Sequence, residues 1–391
     1  MNKREEESTE MKIVLAPDSF KGSLSAMEVC QAMAAGIRSV DPKAEIVMLP
    51  MADGGEGTVE GLTNAYQGQM IHTQVTGPAG RPVDASYGIL NQSLCIVEVA
   101  QTSGLTLLSE EERDPKTTTT YGLGELILDA LNRGCKSFIV GLGGSGTNDG
   151  GCGMAKALGY EFIDKQGNPL QGPMNGGCLD QIAQIRKDKV DPRILAAEFR
   201  AACDVTNPLC GEHGASAVFG PQKGATPEDV KFLDARLAHM AEIVKADLGK
   251  DVLEQPGTGA AGGLGAGVIA FLDGQLCKGV QIIAELLGLE EAMVGANLVI
   301  TGEGRCDRQT LGGKTPYGVI SAAAKQNIPS MIIAGSVGEG LEPLYEMGVT
   351  EIFGIKDETM TLEYATEHAS TLIAGAAMKA FADFRRNHEE A

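Results

Sequence analysis

Strand–helix alternation is confined to the two ends of this 391-residue chain, and that confinement narrows the folds open to it. Lys12 to Pro17 reads as a buried strand. A helix follows it, capped at Ser25, where Glu28 three residues on completes a capping box. Glu45 to Pro50 reads as a second strand, with a helix to about Tyr66. Alternation returns at Asn297, with strands at Leu298–Ile300, Pro329–Ala334 and Glu351–Ile355 and helical stretches after them. Two units in front and three behind make five, the number in a flavodoxin-like parallel sheet. The texture between them is different. Met70–Gly77, Ala85–Leu90 and Leu94–Ala100 are short β-like runs broken by Gly80-Arg81-Pro82 and Asn91-Gln92-Ser93, which is antiparallel grammar. The sequence therefore predicts an α/β protein with a flavodoxin-like domain over residues 11–68 and 291–391, interrupted by an inserted α/β domain over residues 69–290. Residues 1–10 are charged and polar and are expected to be a disordered extension, with Met11 as the functional start.

Charge excludes some partners. The formal net charge is −20, so nucleic acid and anionic membrane surfaces are repelled. An anionic substrate would be repelled as well unless its site gathers Lys, Arg and backbone N–H groups. Nine cysteines occur without any C-x-x-C pair, and the expectation is reduced thiols in a cytoplasmic protein. The histidines stand singly, without metal-ligand spacing. No apolar run approaches membrane-spanning length, and no signal-peptide core is visible.

Chemistry concentrates where strands end. The run Lys136–Val140 leads into Val140-Gly-Leu-Gly-Gly-Ser-Gly-Thr-Asn-Asp-Gly-Gly151, and a helix starts at Cys152. Gly143, Gly144 and Gly146 let an anion approach backbone N–H groups, while Ser145, Thr147 and Asn148 add donors. Asp149 can hold a metal. Gly141-x-Gly143-x-x-Gly146, with Asp164 beyond, also matches a dinucleotide fingerprint, but Thr147–Gly151 interrupts the helix that fingerprint needs. A tight turn without a ligand is the plain alternative.

After the first strand comes Asp18-Ser19-Phe20-Lys21-Gly22-Ser23, where Lys21 can meet a carboxylate or phosphate or can be a solvated loop charge. Asp53 and Glu56 flank a glycine pair after the second strand and suit a metal, proton transfer or helix capping. Asp204 and Asn207, after the Phe199–Val205 strand, suit a metal, a hydroxyl or an Asx-Pro turn. Glu303, Arg305, Asp307, Gln309, Thr310 and Lys314 crowd what reads as one strand-end loop. Gly313-Lys314-Thr315 imitates the end of a Walker A loop, but Arg308 stands where the earlier glycine is required. A second glycine cluster, Gly257–Gly267, fits close helix packing as well as a ligand.

Four of these stretches are specific when taken together: Ala16–Ser23, Ala52–Thr58, Gly143–Gly151 and Thr301–Gly304. They recur in this order in the type I glycerate kinases, and the chain resembles that family from Met11 to about Phe384. The resemblance implies transfer of a phosphoryl group from ATP to D-glycerate in the cytoplasm, most often at the 2-hydroxyl to give 2-phosphoglycerate. A 3-kinase, a nicotinamide-dependent hydroxy-acid dehydrogenase and a non-catalytic sugar-acid sensor stay open as alternatives. It also implies that the inserted domain is restriction-enzyme-like and that the active site lies in the cleft between the domains. ATP and Mg²⁺ are the expected cofactors, and the sequence leaves the oligomeric state open, a homodimer being one possibility.

Phosphoryl transfer requires positioning, charge neutralisation and a base near the attacking hydroxyl. On that chemistry Gly143, Gly144, Ser145, Gly146, Thr147 and Asn148 cradle ATP, and Asp149 stands near Mg²⁺. Lys21, Asp53, Asp204 and Asp307 are the catalytic candidates, the three aspartates competing for base and metal duties. Asp18, Ser19, Ser23, Glu303, Arg305 and Lys314 are expected to bind substrate.

Overall fold

The structure, a computed structural model, describes residues 11–52, 57–357 and 359–389. The expected extension over residues 1–10 lies outside the described residues, and so do Asp53 and Glu56. Contacts divide the chain into a unit of Met1–Asp53 with Ile283–Ala391 and a unit of Gly54–Ile282. The sequence sets the corresponding boundaries at 68/69 and 290/291. The Thr58–Ala65 helix belongs with the second unit because its Val59 N–H donates to Glu98 at 3.0 Å and its Thr63 lies directly over Gly88.

The first unit is built on a five-stranded sheet in the order Val349–Gly354, Ser330–Val337, Leu298–Cys306, Lys12–Leu15, Glu45–Met48. All four pairings are parallel. Numbered within the unit, that order is 2-1-3-4-5, the flavodoxin-like arrangement. Its two central strands are apolar on both faces because helices cover both. Ile13, Val14, Leu15, Leu298, Val299 and Ile300 are all fully buried. The helix after the first strand, Ala26–Val40, starts with the expected capping box between Ser25 and Glu28. This holds the Ala16–Leu24 loop at the carboxyl end of the strand. The loop continues the sheet pairing for a few residues, with Asp18 N–H donating to the Gly302 carbonyl at 2.8 Å and the Thr301 hydroxyl donating to the Ala16 carbonyl at 2.7 Å.

One expectation is corrected here. Leu298–Cys306 stays a strand through Cys306, paired with Val337, so Glu303 and Arg305 sit on a strand end and not in a loop.

The second unit is mixed α/β. Its six-stranded sheet runs Gln275–Cys277, Glu198–Ala202, Ser137–Gly141, Leu94–Glu98, Pro82–Leu90, Gln69–Thr76. The first four are mutually parallel, and the last two form an antiparallel edge. The antiparallel texture of the sequence is this edge. Phe138 and Phe199, side by side on neighbouring strands, stack at 4.6 Å between ring centres and anchor the core beneath the glycine loop. All nine cysteines are free. Among the described residues, no helix is long and apolar enough to cross a membrane.

Candidate active site

In the first unit the chain order reverses between the Lys12–Leu15 and Leu298–Cys306 strands, and open α/β sheets bind ligands outside the carboxyl ends at such a point. Two buried carboxylates meet there, each held by a threonine hydroxyl. Asp18 accepts from the Thr315 hydroxyl at 2.6 Å and from the Ser19 N–H at 2.6 Å. Glu303 accepts from the Thr310 hydroxyl at 2.6 Å, and its other oxygen stands 3.7 Å from Lys314 Nζ. Burial pushes the Glu303 carboxyl above its ordinary range. The Thr310 hydrogen bond and Lys314 oppose that rise, and the charges of Asp18 and Asp307 add to it. Lys21 is exposed in the adjoining loop.

Arg305 is mostly exposed and donates to Asp307 at 2.8 Å. That bond, with the Gln309 N–H, holds the Asp307 carboxyl below the usual range, which makes it a weak base. Ser23 donates its hydroxyl to the Thr366 carbonyl at 3.0 Å, which leaves its oxygen able to accept a hydrogen bond from a ligand.

The glycine loop of the second unit divides into an exposed tip, Gly143 and Gly144, and a buried stretch from Ser145 onward. Asp149 is fully buried, and its carboxylate accepts from Thr120 N–H at 2.8 Å, the Thr120 hydroxyl at 2.8 Å, Gly151 N–H at 3.1 Å and Gly153 N–H at 3.1 Å. Those donors include the N–H groups that a phosphate at this helix start would need. Three of these bonds fall on Oδ2 and one on Oδ1, so the side chain fastens the loop to the Cys152–Ala157 helix, an internal role that stands beside the metal role expected of it. Burial raises its pKa, and the hydrogen bonds counter that rise. Among the described residues, no group of three His, Cys, Asp or Glu side chains is placed to hold a metal.

The second glycine cluster proves to be packing. Ala261, Gly262 and Gly263 take left-handed conformations inside the Ala260–Leu272 helix, and the Gly262 carbonyl accepts from Gly150 N–H at 3.1 Å. A Cβ on Gly262 would fall 1.9 Å from the Thr147 carbonyl oxygen, so only glycine lets these two backbones meet.

Asp204 is exposed and accepts from Gly279 N–H at 3.1 Å, capping the Gly279–Leu286 helix. Asn207 donates to the His213 carbonyl at 2.8 Å. Asp164 accepts from Gln166 N–H at 2.9 Å and Asn168 N–H at 2.8 Å, a local turn. With a six-residue helix after the loop, the dinucleotide fingerprint has no structural counterpart.

Lys223 has no forerunner in the sequence reading. It is 2% exposed, and its Nζ donates to Ser145 Oγ at 2.8 Å and the Thr147 carbonyl at 2.7 Å. Two polar atoms of the same loop, Thr147 Oγ1 and Asn148 Oδ1, are buried without a hydrogen-bond partner among the described residues.

Comparison with known proteins gives the family. Residues 13–385 match the family model described as the glycerate kinase family. A glycerate kinase of Halalkalibacterium halodurans is 46% identical over 366 residues, covering 93% of this chain and 96% of that relative. The glycerate 2-kinase of Escherichia coli (strain K12) is 47% identical over 356 residues, covering 91% of this chain and 93% of that relative. A crystal structure described as a glycerate kinase 2 from Salmonella typhimurium LT2 aligns with a TM-score of 0.88 at 45% identity, covering 97% of this chain and 100% of the other. Matches that run through both units, and not through one alone, make this chain a member of the glycerate kinase family.

Proposed function

We propose that this enzyme transfers the γ-phosphoryl group of ATP to the 2-hydroxyl of D-glycerate, giving ADP and 2-phosphoglycerate. The glycerate 2-kinase among its relatives supports the position of transfer. The observation that carries the chemistry is Glu303, a buried carboxylate with a raised pKa, oriented by Thr310 and facing Lys314. A base poised above the usual carboxylate range removes the hydroxyl proton more readily than one held below it. Glu303 therefore takes the base role in place of Asp204, which caps a helix, and Asp307, which is tied to Arg305.

Lys21, Lys314 and Arg305 supply the positive charge that the substrate carboxylate needs in so acidic a protein, and Asp18 with Ser19 orients the substrate hydroxyls. ATP phosphates dock at the exposed tip Gly143–Gly144 and at Ser145. Asp149 already fills the helix start, so the phosphates are not assigned there. Mg²⁺ enters as part of the nucleotide substrate, in keeping with its habit of being carried by phosphates more than by protein cages. Free cysteines fit a reducing, cytoplasmic setting.

The direct test is ADP release with MgATP and D-glycerate, with phosphorus NMR of the product. Glycerate-dependent ADP and a 2-phosphate signal are expected. A 3-phosphate signal keeps the kinase and moves the hydroxyl, whereas no glycerate-dependent ADP from folded protein sinks the proposal.

The docking of ATP has its own test. Gly143 is exposed, and a Cβ added there meets nothing within 4 Å, so Gly143→Asp places a negative charge at the tip without disturbing packing. The KM for ATP is expected to rise about 10-fold, equivalent to about 1.4 kcal/mol, with the KM for glycerate within about 2-fold of wild type.

A further inference from the structure

We propose that Lys223 is the positioning residue of the nucleotide loop: a buried side chain whose Nζ holds Ser145 Oγ and the Thr147 carbonyl and so presets the tip at which phosphate docks. This rests on the docking of ATP phosphates at Gly143–Ser145.

The geometry is that of a clamp. Lys223 ends the short Pro221–Lys223 turn, and its Nζ reaches back across the fold to two acceptors of a loop 76 and 78 positions away. Asp149 clamps the other end of the same loop through Thr120, Gly151 and Gly153. A buried lysine is costly, and an apolar side chain of similar length would serve better if only bulk were needed. Both acceptors, Ser145 Oγ and the Thr147 carbonyl, are uncharged, and the charged group Lys223 senses is the Asp149 carboxylate. Burial lowers the Lys223 pKa to about 7, and Asp149 opposes that fall.

Proton count then links the lysine to the ligand. An ammonium has three N–H donors and a neutral amine has two. The two acceptors match the amine, so the ligand-free loop tolerates a neutral Lys223. A phosphate next to Ser145 adds negative charge within a few ångströms of Nζ and favours the ammonium. ATP binding near neutral pH is therefore accompanied by proton uptake at Lys223. The unpartnered Thr147 Oγ1 and Asn148 Oδ1 in the same segment agree with a loop built to serve a group beyond itself.

The test combines two variants with calorimetry. Lys223→Met keeps the length and removes the charge, and Lys223→Arg keeps the charge at all pH values. In Lys223→Met the KM for ATP is expected to rise about 10- to 100-fold, about 1.4–2.8 kcal/mol, with the KM for glycerate little changed. Lys223→Arg should bind ATP without the weakening that wild type shows as pH rises from 6.5 to 8.5. A folded Lys223→Met protein with wild-type ATP affinity overturns the proposal, and so does an equal rise in both KM values. Should Lys223→Met fail to fold, the wild-type protein still decides. MgATP binding at pH 7.5, measured in two buffers of different ionisation enthalpy, must show proton uptake, and none at all overturns the proposal. Gly143→Asp separates the two levels: if it leaves ATP binding intact, the docking site is misplaced whatever Lys223 does.

Discussion

Glu303→Gln is expected to lower kcat by about 10²- to 10⁴-fold, the usual contribution of a positioned general base, while the KM for ATP changes little. The amide has the same shape and can still accept the Thr310 hydroxyl that now lies 2.6 Å from the carboxylate, so the fold should survive the change. What it cannot do is take a proton. The pH profile provides a second signature. Because burial holds the Glu303 pKa above its ordinary value, the wild-type rate should rise with pH through an acid limb placed above the usual carboxylate range, as the base ionises. The variant should lose that limb along with its rate. Asp204→Asn and Asp307→Asn should each stay within a few-fold of wild-type kcat, since the first side chain caps a helix and the second is paired with Arg305. A near-normal Glu303→Gln enzyme beside an inactive Asp53→Asn enzyme would move the base to Asp53.

Gly262→Ala should destabilise the second unit by about 2–5 kcal/mol, summing a strained left-handed residue and an overpacked contact. The new Cβ would lie 1.9 Å from the Thr147 carbonyl at a residue whose φ is +68°. Retreat is blocked on both sides. The Gly262 carbonyl is bonded to Gly150 N–H at 3.1 Å, and Cβ atoms at Gly263 or Gly267 would likewise crowd Gly150. At roughly 2–4 °C per kcal/mol for a unit of this size, calorimetry should show a fall of about 5–15 °C in the transition of the second unit. ATP affinity should weaken too, because the displaced carbonyl is one of the two acceptors of Lys223. Gly143→Ala, at the open tip, is the control and should melt within a degree or two of wild type. A Gly262→Ala protein that melts with the control would remove the packing account of the second glycine cluster.

The fold was readable because its signals are local. Apolar runs such as Ile13–Leu15 and Leu298–Ile300 announce a sheet covered on both faces, and Ser25 with Glu28 announces a helix start, each within a few residues. The site was readable only as a neighbourhood. Glu303 and Arg305 read as part of a strand-end loop, yet the strand runs through them because the Ser330–Val337 neighbour keeps pairing as far as Cys306. Asp149 could as well have been a metal ligand or a helix fastener, since both need one carboxylate after a glycine loop. Only the four donors around it reveal the fastener. Lys223 gave no local signal at all, because everything that defines it lies more than 70 residues away.

The discontinuous first unit also sets an order of events at the ribosome. Lys12–Leu15 is flanked in its sheet by Glu45–Met48 and Leu298–Cys306, and the latter emerges only after the whole second unit has been made. At about 5–20 residues per second, roughly 10–50 s separate the two neighbours. The long excursion adds little to the entropy of closing the sheet, because that cost grows only with the logarithm of the loop. It does lengthen the time that an unfinished apolar sheet and the Ala26–Val40 helix wait for the Ala369–Glu389 helix that packs against them. During synthesis the second unit is therefore the first to become a folded body. The N-terminal strands are the part of the nascent chain that a chaperone would hold.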